Sequence, residues 1–213
     1  MKSYDNYIFD LDGTLLDTLG DLTASTNYAM RQHGMAEHSI DEVRLMVGNG
    51  IGKLIERAVP QGTCHELYEE VFATFKAHYM AHSMDTTQPY EGIVQMLHTL
   101  KQQGKNMAVV SNKYCTATEA LCRHFFSDTI GVAIGESERI RKKPAPDAVV
   151  EAMRLLGAHA DNTVYVGDSE VDIATARNCS LPCISVLWGF RDRAFLTGHG
   201  ATTLVESPMD IIS

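Results

Sequence analysis

Two aspartates separated by one residue, Asp10 and Asp12, follow the short apolar run Tyr7-Ile8-Phe9 and lead into Gly13-Thr14. Carboxylates that leave a strand into a tight turn can both address one cavity. Packed together they repel, and a divalent cation is the usual remedy. With such a cation bound, one carboxylate can stay ionised as a nucleophile while its neighbour keeps a proton to donate. The competing reading is a turn-forming pair, since aspartate favours turns. Comparable side chains sit in comparable places further on: Ser111 closes Val109-Val110, and Asp168 closes Val164-Tyr165-Val166-Gly167. Lys143 stands in Lys143-Pro144-Ala145-Pro146. Asp172 lies one helical turn beyond Asp168 and can face the same place, or merely cap its helix.

The elements that must position these residues can be read from periodicity. Tyr7-Ile8-Phe9, Met107-Ala108-Val109-Val110, Val164-Tyr165-Val166 and Cys183 to Leu187 read as buried strands, with a weaker one at Val132-Ala133-Ile134. Between them lie helical stretches around Val94 to Leu100, Ala117 to Phe125, Pro146 to Leu156 and Val171 to Asn178. Strands alternating with helices imply an α/β protein, a parallel sheet covered on both faces. Ligands in such sheets sit at the carboxyl ends of strands. The stretch from about Asp17 to Thr87 is helical throughout. Leu19, Leu22, Thr26, Ala29 and Met30 form one stripe, and Leu67, Val71, Phe75 and Tyr79 recur every four residues. Asp17 and Thr18 read as the cap of the first of these helices. The expected organisation is a core domain of residues 1–15 and 89–213 with an inserted helical domain at 16–88.

The net charge of −9 argues against nucleic-acid partners, because phosphate neutralisation needs clustered Lys and Arg. It says little against a small anionic substrate, since a few local cations and a metal can dominate one pocket. Five cysteines with no C-x-x-C pair point to free thiols in a reducing compartment. No apolar run reaches membrane-spanning length, and the first residues lack a signal-peptide pattern, so a cytoplasmic protein is expected, a monomer or a homodimer. His78 and His82 lie one helical turn apart, but with no third ligand evident they read as a solvated helix face rather than a zinc site.

Asp10-x-Asp12-Gly13-Thr14 resembles the first signature of the haloacid dehalogenase-like hydrolases. Ser111, Lys143 and Gly167-Asp168-x-x-x-Asp172 resemble the remaining signatures, in the right order. The resemblance implies a Rossmann-like core with a helical cap inserted after the first motif. It also implies a phosphatase acting on a small phosphorylated metabolite. Dehalogenases of the family lack the second aspartate, so Asp12 points to phosphate chemistry. By resemblance, Asp10 is the nucleophile, Asp12 the general acid and base, and Ser111 and Lys143 bind the phosphoryl group, with Asn112 as a further donor. Mg²⁺ is held by Asp10, Asp168, the backbone of Asp12 and, from behind, Asp172. The run Val47-Gly48-Asn49-Gly50-Ile51-Gly52-Lys53-Leu54 resembles that of phosphoglycolate phosphatases. Its glycine-rich turn into a helix suits an anion, and Gly50 and Lys53 are candidate contacts for a substrate carboxylate. The same glycines could serve only a tight interhelical turn. Pyrophosphatase, phosphonatase, phosphomutase and a non-catalytic phosphate-binding relic remain open alternatives.

Overall fold

The fold was described from a computed structural model, in which residues 3–64 and 66–212 are described. Met1, Lys2, His65 and Ser213 lie outside the described residues. The chain divides into two compact units, Met1–Leu16 with Pro89–Ser213, and Asp17–Gln88.

The larger unit is built on a parallel sheet. Its strands are β1 (Asn6–Phe9), β4 (Asn106–Tyr114), β5 (Val132–Glu136), β6 (Thr163–Gly167), β7 (Cys183–Val186) and β8 (Thr203–Val205). The two-residue strands β2 (Leu16–Asp17) and β3 (Gln88–Pro89) form a separate small sheet where the chain crosses between the units. In the main sheet the order is β5-β4-β1-β6-β7-β8. β1 is therefore central, and the chain leaves it toward one edge through β4 and β5 before returning to β6 on its other side. That reversal is a topological switch point, where parallel sheets bind ligands. Register brings Phe9 level with both Val109 and Val166, so Asp10 emerges beside the ends of β4 and β6.

Alternation along the strands divides the core in two, as expected of strands buried on both faces. Tyr7, Phe9, Met107, Val109, Val164 and Val166 face the buried residues of α5 (Ile93–Gln102) and α6 (Cys115–Phe126). Ile8, Ala108, Val110 and Tyr165 face those of α7 (Asp147–Leu156) and α8 (Glu170–Asn178). Each fully buried large aliphatic side chain contributes roughly 1.5–3 kcal/mol, so these two layers hold the strand ends in place.

The smaller unit contains α1 (Leu19–Gln32), α2 (Ile40–Met46), α3 (Ile51–Ala58) and α4 (Tyr68–His82). Leu19, Leu22, Thr26, Ala29 and Met30 are buried on α1, and Val71, Phe75 and Tyr79 on α4, as the two stripes required. Thr18 is the N-cap residue of α1 but makes no side-chain cap; Asp17 does so instead, its Oδ1 accepting from Leu19 N at 3.2 Å. His78 and His82 stack at 4.2 Å, and their Nδ1 atoms bond Ser25 and Asp85.

Besides the two-residue strands β2 and β3, which were not expected, three elements depart from the sequence reading. β4 does not close on Ser111 but runs on to Tyr114, after a register shift against β5 between Val110 and Tyr114. Its last residues are polar, so no apolar alternation marked them as strand. The helix α9 (Arg193–Gly198), between β7 and β8, and β8 itself were also missed. Both are short, and β8 is a sheet edge with the polar start Thr203, so neither carries a full period of pattern.

Candidate active site

Asp10 and Asp12 follow β1, Ser111 lies on β4, Asp168 follows β6 and Asp172 lies on α8, while Lys143 reaches Asp10 and Asp172 from the loop before α7. The turn after β1 coils on one acceptor: the backbone N–H groups of Thr14, Leu15 and Leu16 all donate to the carbonyl of Leu11. Gly13 makes this possible with φ +84°, and a Cβ there would collide with the Asp168 carboxylate and the Phe190 ring. Gly167 is required for a similar reason, since any side chain would overlap Asp172.

Asp10 Oδ1 accepts from its neighbour's backbone, Leu11 N, at 2.7 Å and from Lys143 Nζ at 2.8 Å. Lys143 Nζ also meets Asp172 Oδ1 at 2.8 Å and donates to the Tyr165 hydroxyl at 2.9 Å. Tyr165 in turn donates to Asp172 Oδ1 at 3.1 Å. The other oxygen of Asp172 caps α8, accepting from Ser169 N at 3.1 Å and Ser169 Oγ at 2.5 Å. Asp172 therefore does both things considered for it, with one oxygen toward the site and one on the helix cap. Asp168 accepts from Thr14 Oγ1 at 3.2 Å and from Phe190 N at 2.8 Å.

Asp10, Asp168 and Asp172 each offer an oxygen within 4.8 Å of the others. Burial, and then the charge of Asp172, raise the Asp10 carboxyl well above its ordinary range; Lys143 opposes this without prevailing. Asp168 is raised to about 7, again by burial first and Asp172 second. Burial alone would lower the Lys143 ammonium, but Asp10 and Asp172 overcome it and raise it. Of the three buried carboxylates, Asp10 and Asp172 share the Lys143 ammonium, and Asp168 feels its charge without touching it. Such a donor set of hard oxygens with excess negative charge fits a divalent cation.

The remaining sequence candidates are placed less uniformly. The Asp12 side chain is not part of the three-carboxylate group; its Oδ1 pairs with Lys113 Nζ at 2.9 Å. Ser111 is buried, and its Oγ accepts from Lys113 N at 3.2 Å. Asn112 clamps the Lys143 loop from both directions, accepting from Lys143 N at 2.6 Å and donating to Lys143 O at 3.0 Å. Gly50 has φ +85° and is the N-cap of α3, while Lys53 pairs with Glu56 on its own helix at 2.7 Å. Arg57 pins the glycine turn by donating to the carbonyls of Met46 and Gly48.

Sequence reasoning missed Lys113 and Tyr165. Lys113 follows Ser111-Asn112 directly, so its nearness to a candidate residue was the available signal. Tyr165 gave none, since a tyrosine inside an apolar run reads as core.

The sheet order, the switch-point site and its paired aspartates define a Rossmann-like hydrolase. The chain belongs to the haloacid dehalogenase-like hydrolases, whose family model matches residues 7–186. Within them it falls with phosphoglycolate phosphatase-like enzymes. It is 34% identical to a phosphoglycolate phosphatase of Neisseria meningitidis over 91% of this chain and 85% of that one. A phosphoglycolate phosphatase of Agrobacterium fabrum is also 34% identical, over 87% and 81% of the two chains. Among solved structures, one from Lactobacillus delbrueckii subsp. bulgaricus, provisionally assigned as a phosphoglycolate phosphatase, is 36% identical with a TM-score of 0.95. It covers 99% of this chain and 97% of that one. No helix among the described residues is long and apolar enough to cross a membrane.

Proposed function

We propose that the chain hydrolyses a small phosphate monoester through an aspartyl phosphate on Asp10, with Mg²⁺ bound, and that 2-phosphoglycolate is its substrate. The observation that carries this reading is the pairing of roles at the end of β1. Asp10 is buried against Lys143 and grouped with Asp168 and Asp172, while Asp12, two residues on, has a different environment. Two carboxylates with separate surroundings can take separate roles, one as nucleophile and one as proton carrier.

Asp10 and Asp168, with the backbone carbonyl of Asp12, would hold Mg²⁺, and Asp172 would support them through Lys143. When bound, the ion supplies charge that screens the attack of one anion on another and orients a phosphoryl oxygen. Asp10 attacks phosphorus in line while Lys143, fixed by Asp172 and Tyr165, offsets charge on the phosphoryl group. Asp12 protonates the departing oxygen and then takes a proton from the water that cleaves the acyl phosphate. Ser111 donates to a phosphoryl oxygen, and Asn112 acts from behind by holding the backbone of Lys143.

The substrate assignment is supported by the curated relatives and by the glycine turn at Gly48–Gly52, whose φ values at Gly48 and Gly50 are positive. Lys53 would exchange its exposed Glu56 partner for the substrate carboxylate. The test is a panel of phosphate esters with Mg²⁺ and with excess chelator, scored by released phosphate. Sustained release in chelator would overturn the metal assignment. Lys53→Ala should lower kcat/KM for 2-phosphoglycolate by about ten- to a hundredfold, the worth of one charge-assisted contact. The loss on a neutral-tailed ester should be clearly smaller, and equal losses would remove Lys53 from substrate recognition.

A further inference from the structure

We propose that Lys113 is a positioning residue for Asp12: its ammonium holds Oδ1 and so fixes the direction of the other oxygen, Oδ2, toward the leaving group. This rests on, and deepens, the reading above.

The pair differs in kind from the protein's surface ion pairs. Lys113 Nζ and Asp12 Oδ1 are 2.9 Å apart, and the two side chains are only 5% and 19% exposed. Lys53–Glu56, Arg44–Asp41 and Arg154–Glu151 join neighbours on one helix turn in solvent, where such pairs hold geometry weakly. Lys113 and Asp12 are 101 residues apart in sequence and meet only because β4 lies beside β1. A desolvated pair is costly to separate, so it fixes the direction of both side chains.

The backbone behind Lys113 is equally fixed. Its N–H donates to Ser111 Oγ at 3.2 Å, and its carbonyl accepts from Thr118 Oγ1 at 3.3 Å. β5 passes so close that a Cβ at Gly135 would stand 2.5 Å from that same carbonyl. The extension of β4 past Ser111, unexpected from its polar sequence, is what carries the lysine to Asp12. Each aspartate of the first motif thus has its own buried lysine, Lys143 on Asp10 and Lys113 on Asp12.

The reaction assigns the pair a specific place. In the first half an Asp10 oxygen bonds phosphorus as the phosphorus–oxygen bond to the leaving group breaks, and the proton on Asp12 Oδ2 passes to the departing oxygen. In the second half Asp12 takes a proton from water as the water oxygen bonds phosphorus and the Asp10–phosphorus bond breaks. Asp12 ends protonated, as it began. An alkoxide needs that proton in order to leave, whereas a nitrophenolate leaves nearly as well without it. A residue that acts through Asp12 must therefore show its effect according to the leaving group.

The experiment compares D12N, K113M, K113R and the D12N/K113M double variant at saturating Mg²⁺, on an alkyl phosphate and on p-nitrophenyl phosphate, with thermal unfolding measured beside activity. K113M should lower kcat/KM for the alkyl ester by about ten- to a hundredfold and for the nitrophenyl ester by no more than about threefold. K113R should recover part of the alkyl-ester rate. In the D12N background K113M should cost nothing further, because residues acting as one unit are non-additive. Equal losses on both esters, no loss on either, or a full additional loss in the double variant would each overturn the proposal. Should K113M not fold, K113Q and K113R carry the same comparison. Failure of the underlying mechanism looks different: the wild type releases no phosphate, or D12N keeps its alkyl-ester rate, and the role of Lys113 then falls with that of Asp12.

Discussion

Asp21 in the helical unit and Asp168 in the sheet unit are equally hidden, at 2% and 1% exposure, yet their carboxyls are displaced in opposite directions. Burial alone would raise both. At Asp21 it is overcome by hydrogen bonds: Oδ1 accepts from Thr86 N and Oγ1 at 2.9 and 2.6 Å, and Oδ2 from Thr87 N and Oγ1 at 3.0 and 2.7 Å. Those donors hold the group below its ordinary value. Asp168 receives the Thr14 hydroxyl and the Phe190 N–H, and it faces the charge of Asp172. A buried carboxylate with two neutral donors on each oxygen, as at Asp21, is finished as a structural joint. Asp168, with one donor on each oxygen and other carboxylates beside it, keeps excess negative charge that a cation can offset, and that distinguishes a candidate site from a brace.

Four experiments would break or sharpen this contrast. The largest effect should come from Asp10→Asn, which keeps the shape and removes the anion. Turnover should fall by at least about a thousandfold while the fold persists, and a variant retaining a few per cent of activity would end the nucleophile assignment.

Asp21→Ala should act on stability instead. Removing the acceptor of the buried Thr87 N–H and hydroxyl, and of the more exposed pair on Thr86, should cost about 2–4 kcal/mol in denaturant unfolding. The kcat measured well below the melting temperature should be kept. A loss of activity without a loss of stability would make Asp21 part of the chemistry.

The third test uses pH. In the sheet unit Asp10 and Asp168 have raised values when folded, so without metal the native state binds more protons than the unfolded chain. Metal-free stability should therefore fall as pH rises from the ordinary carboxylate value of 3.8 through about 7. Mg²⁺ should stabilise most at the upper end of that window, and Asp168→Asn should flatten the slope. Asp21, with a lowered value, contributes stability that is present above the ordinary carboxylate range and is lost on acidification below it. Metal-free stability that climbs between those pH values would contradict the cation-seeking reading of the cluster.

The smallest effect is expected from Tyr165→Phe, which deletes the hydroxyl shared by Lys143 and Asp172. One buried hydrogen-bonding group is worth roughly 1–1.5 kcal/mol, so kcat should fall by about five- to tenfold with KM little changed. A change confined to stability would make the hydroxyl a packing feature alone.

Much of this arrangement was legible without coordinates, and the reason is local. Asp10 and Asp168 announce themselves because each stands at a boundary where an apolar run gives way to polar residues, and such boundaries in a parallel sheet are strand ends; Asp172 is legible from its one-turn spacing to Asp168. The stripes of α1 and α4 were equally plain, since helical period depends only on neighbours along the chain. β8 and α9 were not, because three and six residues carry too little pattern to be distinguished from loop.

The sequence by itself determined which apolar runs are buried strands, which stripes are helical, and that Asp10 and Asp168 stand at strand ends. Those properties follow from the order of apolar and polar residues and need no partner from afar. Only the tertiary structure decided which carboxylate meets which lysine. It sent Lys143 to Asp10, Asp172 and Tyr165, sent Lys113 to Asp12, and turned Asn112 onto the backbone of Lys143. Within the helical unit it also joined Asp21 to Thr86 and Thr87 across 65 and 66 residues. Pairings of this kind depend on strand order and register, which are set by the packing of the whole sheet and its helices rather than by any local stretch of chain.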